Sequence, residues 1–413
     1  MSNNFKTRLQ KYASLVVHVG LNVQPGQQVV LRTPIEAAEL ARQIAIASYQ
    51  AGAKFVHPFY SDDQLTLIRY QHAPRDSFDF FPQWYADALL SLAQEGAAIL
   101  SVYATDPDLL KDQDPELIST AQKAAARSTR PFAELLSKDY APWTVISASV
   151  PAWANKVFPE LPEAERVPAL WDAIFKACRV DAPDPVEAWQ RHTENLARRS
   201  AYMNEKQYVA LKYKASGTEL TVGLPENHIW TGGYGKTPDG IRFTANIPTE
   251  EIFTMPHKDR VDGIVRATMP LNLRGNLIEN FWFRFEKGKV VEVHAEKGEA
   301  LLKKLLETDE GAMRLGEVAL VPQSSPIAQT GILFYNTLYD ENASCHLALG
   351  RAYRTSLKGG EDMSPEEFAA AGGNDSLIHV DFMMGSEDMD IDGVLPDGSV
   401  EPVFRNGEWA FDV

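Results

Sequence analysis

The sequence predicts an α/β chain in two parts: an N-terminal, mostly parallel sheet with helices on both faces, then a strand-rich α+β domain. Three observations carry that expectation. Short apolar runs alternate with helix-length amphipathic stretches over the first 200 residues. Shorter β-type runs, punctuated by glycine and by Asp-Gly or Asn-Gly pairs, fill the remainder. The length of 413 residues also exceeds what one compact core usually holds.

The elements follow in order. Phe5, Leu9, Tyr12, Leu15 and Val16 recur at helical spacing, which predicts an amphipathic helix over 5–19. Pro25-Gly26 then punctuates the chain before QQVVLRT (27–33), a short apolar run that suits a buried strand. Residues 35–53 are rich in helix formers and end at Gly52. KFVHPFY (54–60), AAILSVYATD (97–106) and WTVISASVP (143–151) repeat the strand theme, with helices expected around 84–94, 114–138, 162–179 and 185–206. Strands spaced by helices of this length favour βαβ units and a parallel sheet, here assigned to a domain over 1–200. From 207 onward come YVALKY, ELTVGL, FWFRFEKGKVVEVHAEKG and GVLPDGSVEPVFRNGEWAF, whose turn pairs signal hairpins. Helices over 297–307 and 365–371 interrupt this second domain, assigned to 201–413.

Composition narrows the function classes. Apolar residues make up 45% and charged residues 23%, as in an ordinary globular enzyme. Forty basic against 56 acidic residues leave a net charge of −16, a surface that repels phosphate backbones, so no nucleic-acid partner is expected. Two cysteines, Cys178 and Cys345, are too few for a disulfide framework or a cysteine zinc site. The N-terminus lacks the pattern of a secretory signal, and no apolar run approaches the roughly 20 residues needed to cross a bilayer. A cytoplasmic chain without a membrane partner is the expectation.

Two motif fragments dissolve on inspection. GGYGKT (232–237) ends like a phosphate-binding loop, but Trp230 stands where its first glycine belongs. DMDIDG (388–393) starts like a calcium loop, yet Ser399 occupies the position of the bidentate glutamate.

Metal-ligand side chains instead cluster inside apolar stretches of the second half. In SLIHVDFMMG (376–385), His379 and Asp381 are two apart and share one face of a strand, while Val380 and Phe382 take the other. An imidazole and a carboxylate so placed can reach one divalent ion; a histidine held by its aspartate as a structural pair would show the same pattern. In RLGEVALV (314–321), Glu317 would be costly to bury unless paired or metal-bound, although an exposed alternating face would also accommodate it. In NASCHLALGRAY (342–353), Tyr353 follows His346 by seven residues, which on a helix would return both to one face. In IPTEEIFTMPH (247–257), Glu250 and Glu251 are adjacent on an extended segment, so only one can face a given site. Three carboxylates, two imidazoles and a phenol are many donors for a single ion. Two divalent ions (+4), three carboxylates (−3) and a bridging hydroxide (−1) sum to zero, and paired ions clamping a water form a hydrolase arrangement.

These four segments resemble the M29 family of metallo-aminopeptidases, the group of aminopeptidases T, S and II, in PTEE-I-F-T, GE before apolar residues, NASCH-L-A-L-G-x-A-Y and H-V-D-F-M-M-G. The resemblance covers roughly 246–385. It implies a metallo-aminopeptidase holding two divalent ions, zinc, cobalt or manganese, through Glu251, Glu317, His346, Tyr353, His379 and Asp381, with Glu250 the other choice for the first position. It further implies removal of N-terminal residues from peptides with a free N-terminus, and a homodimer. Glu250 is the candidate to take the proton from a bridging water. Other readings of the same ligands are a metal-dependent amidase or phosphoesterase, though only Arg351 and Arg354 offer cationic clamps within the motif, or a non-catalytic metal- or peptide-binding protein.

Overall fold

The computed structural model describes residues 3–273 and 276–413. The chain forms two compact units, one comprising residues up to Thr193 together with Tyr234–Pro248, the other Glu194–Gly233 with Thr249–Val413.

The first unit is built on a four-stranded parallel sheet in the order Phe55–Ser61, Gln28–Pro34, Ala98–Val102, Trp143–Ile146. Consecutive residues Val29, Val30 and Leu31, and again Ala98, Ile99 and Leu100, are buried. Runs of that kind occur where both faces of a sheet are covered. The intervening helices Ala38–Gln50, Asp63–His72, Gln83–Gln94 and Pro115–Ser137 supply cover. Val30 and Ile99 pack with Leu89, Ala93 and Phe132 of two of them. Helix starts follow local chemistry: the Asp62 carboxylate accepts from the Gln64 and Leu65 amides, and Asp114 accepts from Glu116 ahead of a helix that opens on Pro115. The segment Tyr234–Pro248 joins this unit through backbone bonds from Val145 N to Ala245 O, Ile247 N to Val145 O and Thr244 N to Gly20 O. Within it Gly235–Lys236 pairs antiparallel with Arg242–Phe243, so GGYGKT ends on a hairpin rather than opening a helix.

The second unit holds two antiparallel systems. A nine-stranded sheet runs Leu271–Leu273, Asn276–Glu286, Val261–Arg266, Thr218–Gly223, Ala210–Ala215, Asp390–Val394, Val400–Arg405 and Glu408–Trp409, with Lys289–Lys297 also on Asn276–Glu286. The five-stranded sheet runs His379–Met383, His346–Gly350, Leu315–Leu320, Ile252–Thr254, Thr231–Gly232. A shared core packs Phe281 and Phe283 of the larger sheet against Phe382 of the smaller, with ring centroids 6.1 and 5.1 Å apart. The expected helices are Glu299–Leu306 and Pro365–Ala370, the latter opened by a Ser364–Glu367 capping box. Among the described residues no helix is long and apolar enough to cross a membrane.

Candidate metal centre

Strand register decides which side chains meet. In the five-stranded sheet Phe253 lies opposite Ala319, Ala319 opposite His346, and His346 opposite Met383. One step along, Glu317 and Asp381 both lie opposite Ala348, and His379 lies opposite Gly350. Opposed residues share a face, and side chains alternate along each strand. Glu317, His346, His379 and Asp381 therefore stand on one face, with the small residues Ala319 and Ala348 between them. Val318, Leu320, Leu347, Leu349 and Phe382 alternate onto the other face and enter the core.

Two glycines permit this layout. Gly316 precedes Glu317 at a register shift, and a Cβ there would come within 2.3 Å of the Gly350 carbonyl oxygen. Gly350 ends its strand with φ +101°, and its own Cβ would meet the Ile378 carbonyl oxygen at 2.2 Å. Both demand glycine on steric grounds.

The polar face holds two donor groups: Glu251 with Glu317 and His346, and Glu317 with His379 and Asp381, the donor atoms of each within 4.8 Å of one another. His346 Nε2 lies 3.3 Å from Glu251 Oε2 and 3.5 Å from Glu317 Oε1. His379 Nε2 lies 3.5 Å from Glu317 Oε2 and 3.4 Å from Asp381 Oδ1. Glu317 thus turns one oxygen to each group. Each imidazole is oriented from behind, with Nδ1 3.2 Å from the Ser344 carbonyl for His346 and 2.7 Å from the Arg351 carbonyl for His379. A carbonyl can only accept, so Nδ1 carries a proton in each ring and Nε2 is the atom that faces the carboxylates.

The groups are sequestered: His346 is 1% exposed, Glu317 6% and Glu251 9%. Glu251 Oε2 and Asp381 Oδ1 are buried without a hydrogen-bond partner. Burial drives the Glu317 carboxyl above its ordinary range, opposed by its bond to His346 and reinforced by the charges of Asp381 and Glu251. Burial also works against the Asp381 carboxylate, but the close contact and charge of His379 win and hold it below the usual value. For the imidazoles burial opposes protonation, yet the surrounding carboxylates prevail, raising His346 well above normal and His379 to about 9. The face is a concentrated negative field with orphaned buried oxygens and the Nε2 atoms of both imidazoles turned into it. That donor set fits divalent cations, which would offset the cost of the unpaired carboxylates.

The sequence-predicted residues reach this face by different routes. Glu251, Glu317, His346, His379 and Asp381 all belong to the two groups. Glu250 stands outside them; it is buried, and its amide donates to Asn342 Oδ1 at 2.7 Å. Tyr353 brings its ring to 4.9 Å from that of His379, centroid to centroid, and makes an edge contact with Phe253. It does not do so on a helix. His346–Gly350 is a strand paired on both sides, and Tyr353 follows it in extended backbone. Leu347 and Leu349 alternate into the core, so a period of two prevails where helical spacing was expected. Two residues escaped the sequence reading. Asn342 is fully buried, accepts from Glu250 N and donates to the Leu338 carbonyl at 3.2 Å, fixing the acidic segment in place. Glu341 precedes it and interacts electrostatically with Glu251, Asp381, His346 and Glu317. A carboxylate adjoining the NASCH run was the available signal.

The family model described as thermophilic metalloprotease (M29) matches residues 5–409. Aminopeptidase 2 of Geobacillus stearothermophilus is 50% identical over 411 residues, with 100% of each chain covered. Aminopeptidase AmpS of Bacillus subtilis (strain 168) is 48% identical, covering 99% of this chain and 100% of that one. Among solved structures, wild-type AmpT from Thermus thermophilus superimposes with a TM-score of 0.93 at 46% identity, covering 98% of this chain and 100% of the other.

Proposed function

The chain belongs to the M29 family of metalloproteases, and on that premise we propose that it removes N-terminal amino acids from peptides at a dinuclear centre on the five-stranded sheet of the C-terminal half. Its relatives at 47–50% identity are named aminopeptidases, so the chain is a metallo-aminopeptidase, a peptide hydrolase acting as an exopeptidase. The observation that carries the two-ion reading is the position of Glu317, with one oxygen toward each donor group. Glu251 and His346 would complete one ion's protein ligands, and His379, Asp381 and Tyr353 the other's. Oxygen and imidazole donors suit zinc, cobalt or manganese. Metal ions held by these residues would supply Lewis-acid polarisation of a scissile carbonyl and a lowered pKa for a bound water.

The chain's own residues do the remainder. The Ser344 and Arg351 carbonyls hold the imidazoles in the ligating tautomer. Asn342 fixes the backbone of Glu250 and so the approach of Glu251. Glu250 is assigned to take the proton of the attacking water and return it to the leaving amine, supported by its burial next to a ligand. Homodimerisation follows from the family resemblance alone, and cytoplasmic residence from the scarcity of cysteine in the sequence.

Chelation should abolish hydrolysis of an aminoacyl anilide, and re-addition of single metals should restore it. A chain that keeps its full rate in excess chelator is not working through these ligands.

A further inference from the structure

An aromatic residue without a donor atom shares the polar face. Phe253 follows Glu251 by two positions, in the strand Ile252–Thr254. It lies on the row that crosses the sheet from Thr231 through Ala319 and His346 to Met383. Its neighbours Ile252 and Thr254 are fully buried, whereas Phe253 is only half-buried. Its ring meets that of Tyr353 edge-on, with centroids 6.1 Å apart, and the Tyr353 ring stands 4.9 Å from that of His379. The two rings form an apolar wall that begins beside Glu251 of one donor group and ends beside His379 of the other.

The wall is on the accessible side. Along the row, Ala319 and His346 are 1% exposed and Met383 6%, so the surface at that end is already covered. In the other direction Thr231, on the edge strand Thr231–Gly232, is exposed, and Tyr353 keeps 41% of its surface exposed. An N-terminal residue that brings its amine and first carbonyl to the donor groups carries its side chain on the atom between them. That side chain must rest on whatever borders the groups, and the accessible border here is two aromatic rings. Covering them with an aliphatic side chain removes apolar area from water on both partners, and glycine offers none to remove. A charged side chain would give up hydration against the same rings.

Building on the aminopeptidase reading, we propose that Phe253 sets the preference for the N-terminal residue of the substrate: with Tyr353 it packs against that residue's side chain and selects apolar ones such as leucine over glycine, alanine and charged residues. Phe253 acts through this contact and takes no part in metal binding or proton transfer.

The test compares wild type with Phe253→Ala, which removes the ring, and with Phe253→Leu, which keeps a bulky apolar side chain. Metal content per chain is measured first and should be the same in all three. Across glycyl, alanyl, leucyl and glutamyl anilides, wild type should favour leucyl. In Phe253→Ala the leucyl-to-alanyl ratio of kcat/KM should fall about ten- to a hundredfold, the discrimination that small differences in apolar side chains support. Phe253→Leu should keep most of the ratio. Calorimetry supplies a readout without turnover, using leucine hydroxamate and alanine hydroxamate, which carry the same metal-binding group. Loaded wild type should bind the leucine compound more tightly, and Phe253→Ala should bind the two alike. An unchanged ratio and preference in Phe253→Ala would overturn the proposal. So would an equal fall on all four anilides, which reduces Phe253 to a support for Tyr353, or a loss of metal, which makes it a support for the ligands. If loaded wild type hydrolyses none of the anilides, the aminopeptidase reading fails, while the hydroxamate comparison still decides whether Phe253 holds an apolar side chain.

Discussion

Two sheets in this chain use similar residues to opposite ends. In the parallel sheet of the first unit, Val29–Leu31 and Ala98–Leu100 are buried in unbroken runs, because helices lie between the strands in sequence and cover is needed on both faces. Those positions are occupied by packing. In the antiparallel sheet of the second unit, LGEVAL and HLALG are just as buried. There every second residue faces away from the apolar core, and those positions carry Glu317, His346, His379 and Asp381. Burial without apolarity is the mark of the second sheet: it costs stability unless something pairs the charges, and that cost is what makes cations welcome.

The sharpest way to break the contrast is to neutralise the residue both donor groups share. Glu317→Gln should deprive the chain of both ions and lower turnover at least about a thousandfold, several kcal/mol of transition-state stabilisation. His379→Ala touches one group only and should leave about one ion per chain by elemental analysis. Equal metal loss in the two variants would refute the shared role of Glu317.

The opposite face of the same sheet should respond in stability instead. Phe382 is 1% exposed and meets Phe281 and Phe283. Phe382→Ala should cost about 3–5 kcal/mol, read from denaturant unfolding, while the fraction that remains folded keeps its metal stoichiometry. Val30→Ala in the parallel sheet should cost less and spare the metals too. Loss of metal from folded Val30→Ala would erase the distinction between the sheets.

Much of this was legible in the sequence, for identifiable reasons. The strand expected over 27–33 is Gln28–Pro34, and the helix expected over 114–138 is Pro115–Ser137, since apolar runs, Pro and Asp caps are local signals. The His379–Asp381 pair was readable because a period of two survives in five residues. Other features depend on partners distant in sequence. His346 and Tyr353 suggested a helix until pairing with Leu315–Leu320 and His379–Met383 imposed extended backbone. The glycine of GE matters because of a carbonyl 34 positions on, at Gly350. Asn342 earns its place through Glu250, 92 residues away. Nothing in the composition of Tyr234–Pro248 marks its bonds to Val145 and Gly20. Contacts of such separation have no local signature.

The gentlest perturbation is the proton itself. With His379 raised to about 9 and His346 higher than normal, imidazolium is favoured in the folded, metal-free chain by the carboxylates around it. That contribution to stability is fully present below the ordinary imidazole value of about 6.5 and is lost as pH rises through about 9. Cations compete with the same protons for the same Nε2 atoms. Metal affinity, measured against a competing chelator, should therefore climb from pH 6.5 to 9 by up to about tenfold per pH unit for each proton displaced. Melting curves should diverge in parallel, with chelated protein losing stability across this window and loaded protein holding or gaining it. Hydrolysis should decline in mild acid for the same reason. The parallel sheet has no titrating group in its apolar core, so Val30→Ala should shift both curves down without changing their slopes against pH. A metal affinity that is flat between pH 6.5 and 9 would mean that neither imidazole gives up a proton to bind, and the two faces of the sheet would no longer differ in the way their residues require.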